Sequence, residues 1–146
     1  MKQKNKLNSN YFLYSIIAVL STGALFILFG YNGWGPPAGN EQAIGEISRW
    51  CERVSSGFFR EPVNTLGNLG FVFTGLFMFY KITQDATSNK SPMFGSFKIA
   101  LLYASASTFL GPGSMAMHGT HTAFGAWLDN VSMISYILIF WLYNLK

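Results

Sequence analysis

Apolar positions fall in four long runs separated by short polar or breaker-rich stretches. The first, Tyr11 to Tyr31, follows Lys2, Lys4 and Lys6 and ends in Gly30-Tyr-Asn-Gly-Trp-Gly-Pro-Pro-Ala-Gly39. It is long enough to cross a bilayer core about 30 Å thick, which takes roughly 20 residues of helix. It exceeds the apolar stretch of a secretory signal and lacks a small-x-small cleavage site, so an uncleaved anchor is expected. After a plausible N-cap at Asn40, the residues Ile44, Ile47, Trp50, Cys51, Val54 and Phe58 recur at three- and four-residue steps, which predicts a short helix lying on the membrane surface. Pro62, suited to a first helical turn, opens a second span reaching Ile82, and Gln84 to Ser96 reads as a polar loop. A third span runs from Phe97 to Met117, where Gly111-Pro112-Gly113 should kink or loosen the helix. Gly119 to Gly125 reverses the chain into a fourth span, Ala126 to Leu145. The predicted fold is an all-α, multi-pass transmembrane bundle of four spans, with an N-terminal anchor and loop over 1–40 and a helical membrane domain over 41–146.

Composition sharpens this picture. Half of the 146 residues are hydrophobic and 11% are charged, against roughly 25% charged in ordinary soluble domains. No charge lies between Lys6 and Glu41 or between Glu61 and Lys81, and only Asp129 lies between Lys98 and Lys146. A water-soluble globule is disfavoured, and a second soluble domain is excluded. The pI near 9.3 reflects basic residues at span ends, so it signals topology, and no nucleic-acid partner is expected. The single cysteine, Cys51, excludes an intramolecular disulfide. With the N-terminus inside, Lys2, Lys4, Lys6, Lys81, Lys90, Lys98 and Lys146 share the inner side, leaving Arg49, Arg53 and Arg60 outside. Glu52, Glu61, Asn64, Ser114, His118, His121 and Asp129 then gather toward the outer face.

Three spans carry polar stripes at helical spacing: Glu61, Asn64, Asn68 and Gly75; Ser107, Gly111, Ser114 and His118; Asp129, Ser132, Tyr136 and Tyr143. An unpartnered polar group in hydrocarbon costs several kcal/mol, so the stripes must face one another or a wet cavity. Small and polar residues also serve plain helix packing, which is the simpler reading for Ser107, Ser132, Asn64, Asn68 and the glycines. Asp129 stands apart, because an acid within a span costs about 2.5 to 3.5 kcal/mol and is usually tied to function.

His118 follows Ser114 by one turn, and a reversal at Gly119 to Gly125 returns Asp129 to about the depth of Ser114. Hydroxyl, imidazole and carboxylate can then meet. A Ser-His-Asp nucleophilic triad lacks its usual strand-to-helix elbow here. A metal site, with imidazole as ligand and carboxylate as base, is the stronger reading. His118 and His121 form an HxxH pair, but two histidines do not complete a zinc site, and His121 is expected to be a loop or interface residue.

Trp50-Cys51-Glu52, Glu61-Pro62-Val-Asn64-Thr65-Leu-Gly-Asn68-Leu, Gly113-Ser114-Met-Ala-Met-His118-Gly-Thr120 and Asp129-Asn-Val-Ser-Met133 together resemble the alkaline ceramidase family of the CREST group of membrane hydrolases, from about Arg49 to the C-terminus. The resemblance implies the first half of a seven-helix bundle, with Tyr11 to Tyr31 as an added N-terminal span. It implies a zinc-dependent hydrolase of the linear amide bond in ceramide-like lipids. By position, His118 would be one of three zinc-ligating histidines, Ser114 would stabilise the oxyanion or place the water, and Asp129 would be the general base. Trp50, through its carbonyl, with Glu52 and Glu61 would correspond to part of a calcium site. Arg49 and Val54 replace an acid and an amide side chain there, and the Trp50 to Glu61 segment is shorter, so calcium is the weaker expectation. The family's other two zinc histidines have no counterpart in this chain. Completion of the zinc site is therefore expected from missing C-terminal helices or a partner chain. A noncatalytic four-helix protein that packs against a partner through its polar faces is the alternative. A small transporter with His118 and Asp129 as a proton relay is disfavoured, because no span repeats another.

Overall fold

The computed structural model describes residues 10–88, 90–91 and 95–145, all of its regular structure helical. Lys2, Lys4, Lys6 and Lys146, which carry much of the expected topology signal, lie outside the described residues. Among the described residues five helices follow in order: α1 Tyr11–Gly30, α2 Pro62–Gly67, α3 Leu69–Thr87, α4 Phe97–Thr120 and α5 Ala123–Asn144. Among the described residues, three runs are long and apolar enough to cross a membrane: Tyr11–Gly30, Pro62–Thr87 and Ala123–Asn144.

The helix α4 forms the axis of the bundle and packs against α1, α2, α3 and α5. Half of its 24 residues are buried, nearly all of them Ala, Gly, Ser or Thr. Small side chains let neighbouring backbones approach closely. A Cβ added at Gly75 of α3 would lie 2.6 Å from the backbone nitrogen of Thr108, and one at Gly111 would run into Val72 and the Asn68 carbonyl. On the other side of α4, Gly113 abuts Ser132 and the Leu128 carbonyl, while Gly125 abuts the carbonyl of Ala116. These contacts fix an antiparallel register in which Asp129 stands beside the Gly113-Ser114 level. The helical run of α4 passes through Gly111-Pro112-Gly113 unbroken.

The predicted second span is one run with a break at Asn68, whose side-chain amide donates to the Asn64 carbonyl at 2.9 Å and competes with the backbone ladder. Pro62 occupies its first turn, as the sequence predicts. The reversal between α4 and α5 is tighter than expected, needing only His121 and Thr122. His121 closes α4 in the left-handed conformation (φ 50°), and Thr122 caps α5 by accepting from the Gly125 N–H at 3.0 Å.

The surface helix expected over Ile44 to Phe58 does not form. The segment is an irregular loop folded on itself by a bridge between Ile47 and Arg53, with Gly45 N–H donating to Val54 O and Val54 N–H to Glu46 O, each at 2.8 Å. Positive φ angles at Gly45 (93°) and Cys51 (63°) reverse the chain where a helix would need negative ones. Of the apolar residues that suggested a helix, only Val54 is buried. The periodicity there comes from turn residues alternating with apolar ones.

The first helix, α1, touches the bundle at its two ends. Phe12 meets Tyr80 edge-on at 5.5 Å, beside a buried cluster of Phe79, Ile82, Ala100 and Ala104. At the other end Phe26 packs against Trp34, Phe58 and Phe59, and Trp34 Nε1 donates to the Phe58 carbonyl at 2.8 Å.

Candidate functional site

The last carbonyls of a helix have no partner within it. Here the loop preceding α2 supplies donors to the end of α4: Glu61 N–H to His118 O at 3.0 Å, Arg60 N–H to Gly119 O at 2.9 Å, and Ala38 N–H to His121 O at 2.9 Å. Those bonds lay Glu61 along the final turn of α4. Arg60 is buried and holds the loop from inside, its guanidinium donating to the carbonyls of Gly35 and Ser55.

As a result a carboxylate and two imidazoles converge. Glu61 is fully buried; its Oε2 lies 2.5 Å from His118 Nδ1 and accepts from Asn64 Nδ2 at 3.1 Å. Its Oε1 lies 3.2 Å from Nε2 of His121, which is also fully buried. The His118 ring stands edge-on to Trp50 with centroids 4.9 Å apart. Glu52 sits behind them: its two oxygens accept the N–H groups of Val63 and Asn64 at 2.7 and 2.8 Å, capping α2 with a negative charge at the positive end of the helix. Burial alone would push the Glu61 carboxyl up, but its polar interactions with Ser48, His118 and Asn64 outweigh it. The net effect holds the group below the usual carboxylate range.

Of the residues singled out in the sequence, the structure brings Trp50, Glu61 and His118 together, with Glu52 supporting them. Ser114 is buried one turn from His118 on α4. Asp129 stands at the level of Ser114 on α5, with a buried Oδ1 that no hydrogen bond satisfies. No hydrogen bond joins Ser114 or Asp129 to His118 among the described residues. His121 does lie in the reversal, as expected, yet it is buried against Glu61. Its HxxH spacing from His118 was the available signal, but spacing alone did not place a glutamate from a distant loop between the two rings. Ser48 and Arg60 likewise reach the site through the fold of that loop.

The donor set can be compared with what each expected metal needs. With Nδ1 of His118 facing Glu61, Nε2 is the ring nitrogen left to bind anything else, the arrangement in which a carboxylate orients a metal-binding histidine. The residues thus fit one zinc-ligand position. Among the described residues no three His, Cys, Asp or Glu side chains form a metal-holding group, whereas a catalytic zinc takes three protein ligands. The calcium expectation fits poorly: both Glu52 oxygens take backbone N–H groups and Glu61 Oε2 takes two donors, leaving nothing like the shell of about six to eight oxygens calcium prefers.

Neither the curated proteins nor the solved structures yield a match to this sequence. The family model described as Ceramidase matches residues 47–146. That span takes in Trp50, Glu52, Glu61, Ser114, His118 and Asp129 and well over half of the sequence, so the chain belongs to the ceramidase family.

Proposed function

We propose that this protein is a zinc-dependent membrane hydrolase of the linear amide bond in ceramide-like lipids. The observation that carries the reading is the 2.5 Å contact between buried Glu61 and His118 Nδ1, within the region matched by the family. It turns an imidazole at the end of a membrane helix into a fixed, one-nitrogen donor. The described residues supply one such position, and a catalytic zinc takes three protein ligands, so the remaining ligands are to be sought outside them. The helix α4 is a fourth span, long enough at 24 residues and shielded from lipid by its neighbours. The N-terminus faces inside and the site lies toward the outer face.

Zinc, when bound, supplies Lewis acidity and an activated water. The chain's own part follows from position. The carboxylate of Asp129 takes the proton of the attacking water and passes it to the amine nitrogen as the C–N bond breaks, giving a fatty acid and a free amine. Ser114 Oγ donates to the oxygen on which negative charge develops. Glu61 keeps His118 in one orientation. A purely packing role would not call for a buried carboxylate held between two histidines.

The test is metal content and hydrolysis of a fluorescent-acyl ceramide by the protein purified from its native membranes with whatever chain accompanies it. About one zinc per chain is expected, and His118→Ala should lose both metal and hydrolysis. Zinc retained at full occupancy in that variant would remove His118 from the ligand set. Failure of the wild type to cleave any lipid amide would refute the activity.

A further inference from the structure

His121 combines three features that are individually uncommon. Only it and Cys51, among the described non-glycine residues, have positive φ, a conformation that large side chains seldom adopt. Its side chain is fully buried, yet neither ring nitrogen makes a hydrogen bond. Buried polar atoms are nearly always satisfied, and those that are not cluster at functional sites. The third feature is what it faces: Nε2 stands 3.2 Å from Glu61 Oε1, itself buried and without a hydrogen bond. A helix end in this conformation ordinarily carries glycine or asparagine. A strained backbone and two unsatisfied partners at one point are hard to explain by packing alone.

The other oxygen of the same carboxylate is the one that meets His118 Nδ1 and Asn64 Nδ2. If Oε1 were free, the carboxylate could rotate about its terminal bond and present either oxygen to His118. With His121 against Oε1 and Asn64 on Oε2, rotation exchanges neither position without breaking a contact. Asn64 is anchored in turn, because its backbone N–H is held by Glu52 at 2.8 Å. We propose that His121 is a positioning residue: it clamps the second oxygen of Glu61, so that His118 is held by Nδ1 in a single tautomer with Nε2 turned toward the reaction. This inference rests on the reading of His118 as the working imidazole.

The chain holds only two histidines, so its ¹⁵N-histidine spectrum in lipid nanodiscs is simple to assign. Wild-type His118 should show one neutral tautomer, protonated at Nδ1. His121→Gly, which suits the left-handed backbone, should show mixed His118 tautomers. In the natively assembled enzyme the same variant should lower kcat about ten- to a hundredfold with little change in KM, the scale of losing an outer-shell orienting group. His121→Asn tolerates the same backbone and offers an amide donor to Oε1, and should restore most of the single tautomer. A glycine variant that keeps the wild-type tautomer, or a wild-type His118 protonated at Nε2, would overturn the clamp. Should the glycine variant not fold, the wild-type and asparagine spectra decide, and mixed tautomers in His121→Asn would count against it. The tautomer signal does not depend on turnover. An intact clamp in a protein that cleaves no lipid amide therefore refutes the proposed activity alone, and mixed tautomers in an active enzyme refute the clamp alone.

Discussion

Gly125 is where the register between α4 and α5 is most exposed to a one-atom test. It lies in the first turn of α5, and a Cβ built there meets the carbonyl of Ala116, with the carbonyl carbon at 2.8 Å and the oxygen nearer still. The nearest obstructing atoms are backbone, with the Thr120 hydroxyl beside them at 2.8 Å, so a rotamer change alone does not relieve the clash and the two helices must part. Overpacking of this kind costs about 1 to 3 kcal/mol. Alanine's better helix propensity returns about 0.5 to 1 kcal/mol, which leaves Gly125→Ala destabilised by about 0.5 to 2 kcal/mol. Gly70 on α3 is the matched control, since a Cβ there meets nothing within 4 Å and only the propensity gain applies. At about 2 to 4 °C per kcal/mol for a chain of this size, the melting temperature should fall by about 1 to 8 °C in Gly125→Ala and rise by about 1 to 4 °C in Gly70→Ala. Thermal unfolding followed by circular dichroism in one detergent measures both. Because the same contact sets Asp129 beside Ser114, Gly125→Ala should also slow hydrolysis, while Gly70→Ala should not. Equal or greater stability of Gly125→Ala would refute the close α4–α5 register.

Further outcomes follow from the same geometry. Glu52→Ala removes the acceptor of two N-terminal amides of α2 and should cost about 1 to 2 kcal/mol in thermal stability, with Glu52→Gln recovering part of it; an unchanged melting temperature in the alanine variant would show that the cap is dispensable. Glu61 has its folded pKa held below its unfolded one, so its contribution to stability is present above the ordinary carboxylate range and is lost as pH falls through the depressed folded value. Acid unfolding of Glu61→Gln should accordingly show a flatter low-pH limb than wild type, and parallel limbs would count against the assignment. Ser114→Ala and Asp129→Asn should each lower kcat by about 100-fold or more with little change in KM. Loss of binding instead of rate in either variant would move that residue out of the reacting position.

Much of the helical layout is legible in the chain because runs long and apolar enough to cross a membrane stand out by length and polarity. The limits of α1 and the starts of α2 and α4 lie within a residue or so of where apolarity, Pro62 and Ser96 place them. The polar stripes were legible as well: Gly75 meets Thr108, Gly111 meets Val72, and Ser132 meets Gly113, all facing inward. Tyr143 is the exception, exposed near the end of α5. The loop before α2 was not legible. Its apolar spacing imitates a helix, while its path is set by Gly45, Cys51 and by hydrogen bonds to a helix end far along the chain. The site inherits that difficulty, since Glu61 meets His118 only after Arg60 and Glu61 have paired with the carbonyls closing α4.

The helix that carries Ser114 and His118 is also the one that falls short of an apolar span by composition, and the two facts have one cause. A helix surrounded by others gains nothing from large apolar side chains on every face, because lipid tails and leucine are equally apolar; it gains from small residues that admit neighbouring backbones. Twelve of the residues of α4 are buried, and their glycines, alanines and serines lower its hydropathy while allowing the approaches at Thr108 and Gly113. By contrast α1 buries only Ser15 and Gly30 and is the most apolar of the candidate spans. Polar chemistry can be housed on α4 because its neighbours exclude lipid and supply partners, as Glu61 does for His118. On the reading proposed for Ser114 and His118, α4 houses the working residues, and α1, the most apolar of the candidate spans, is the helix whose removal should disturb them least.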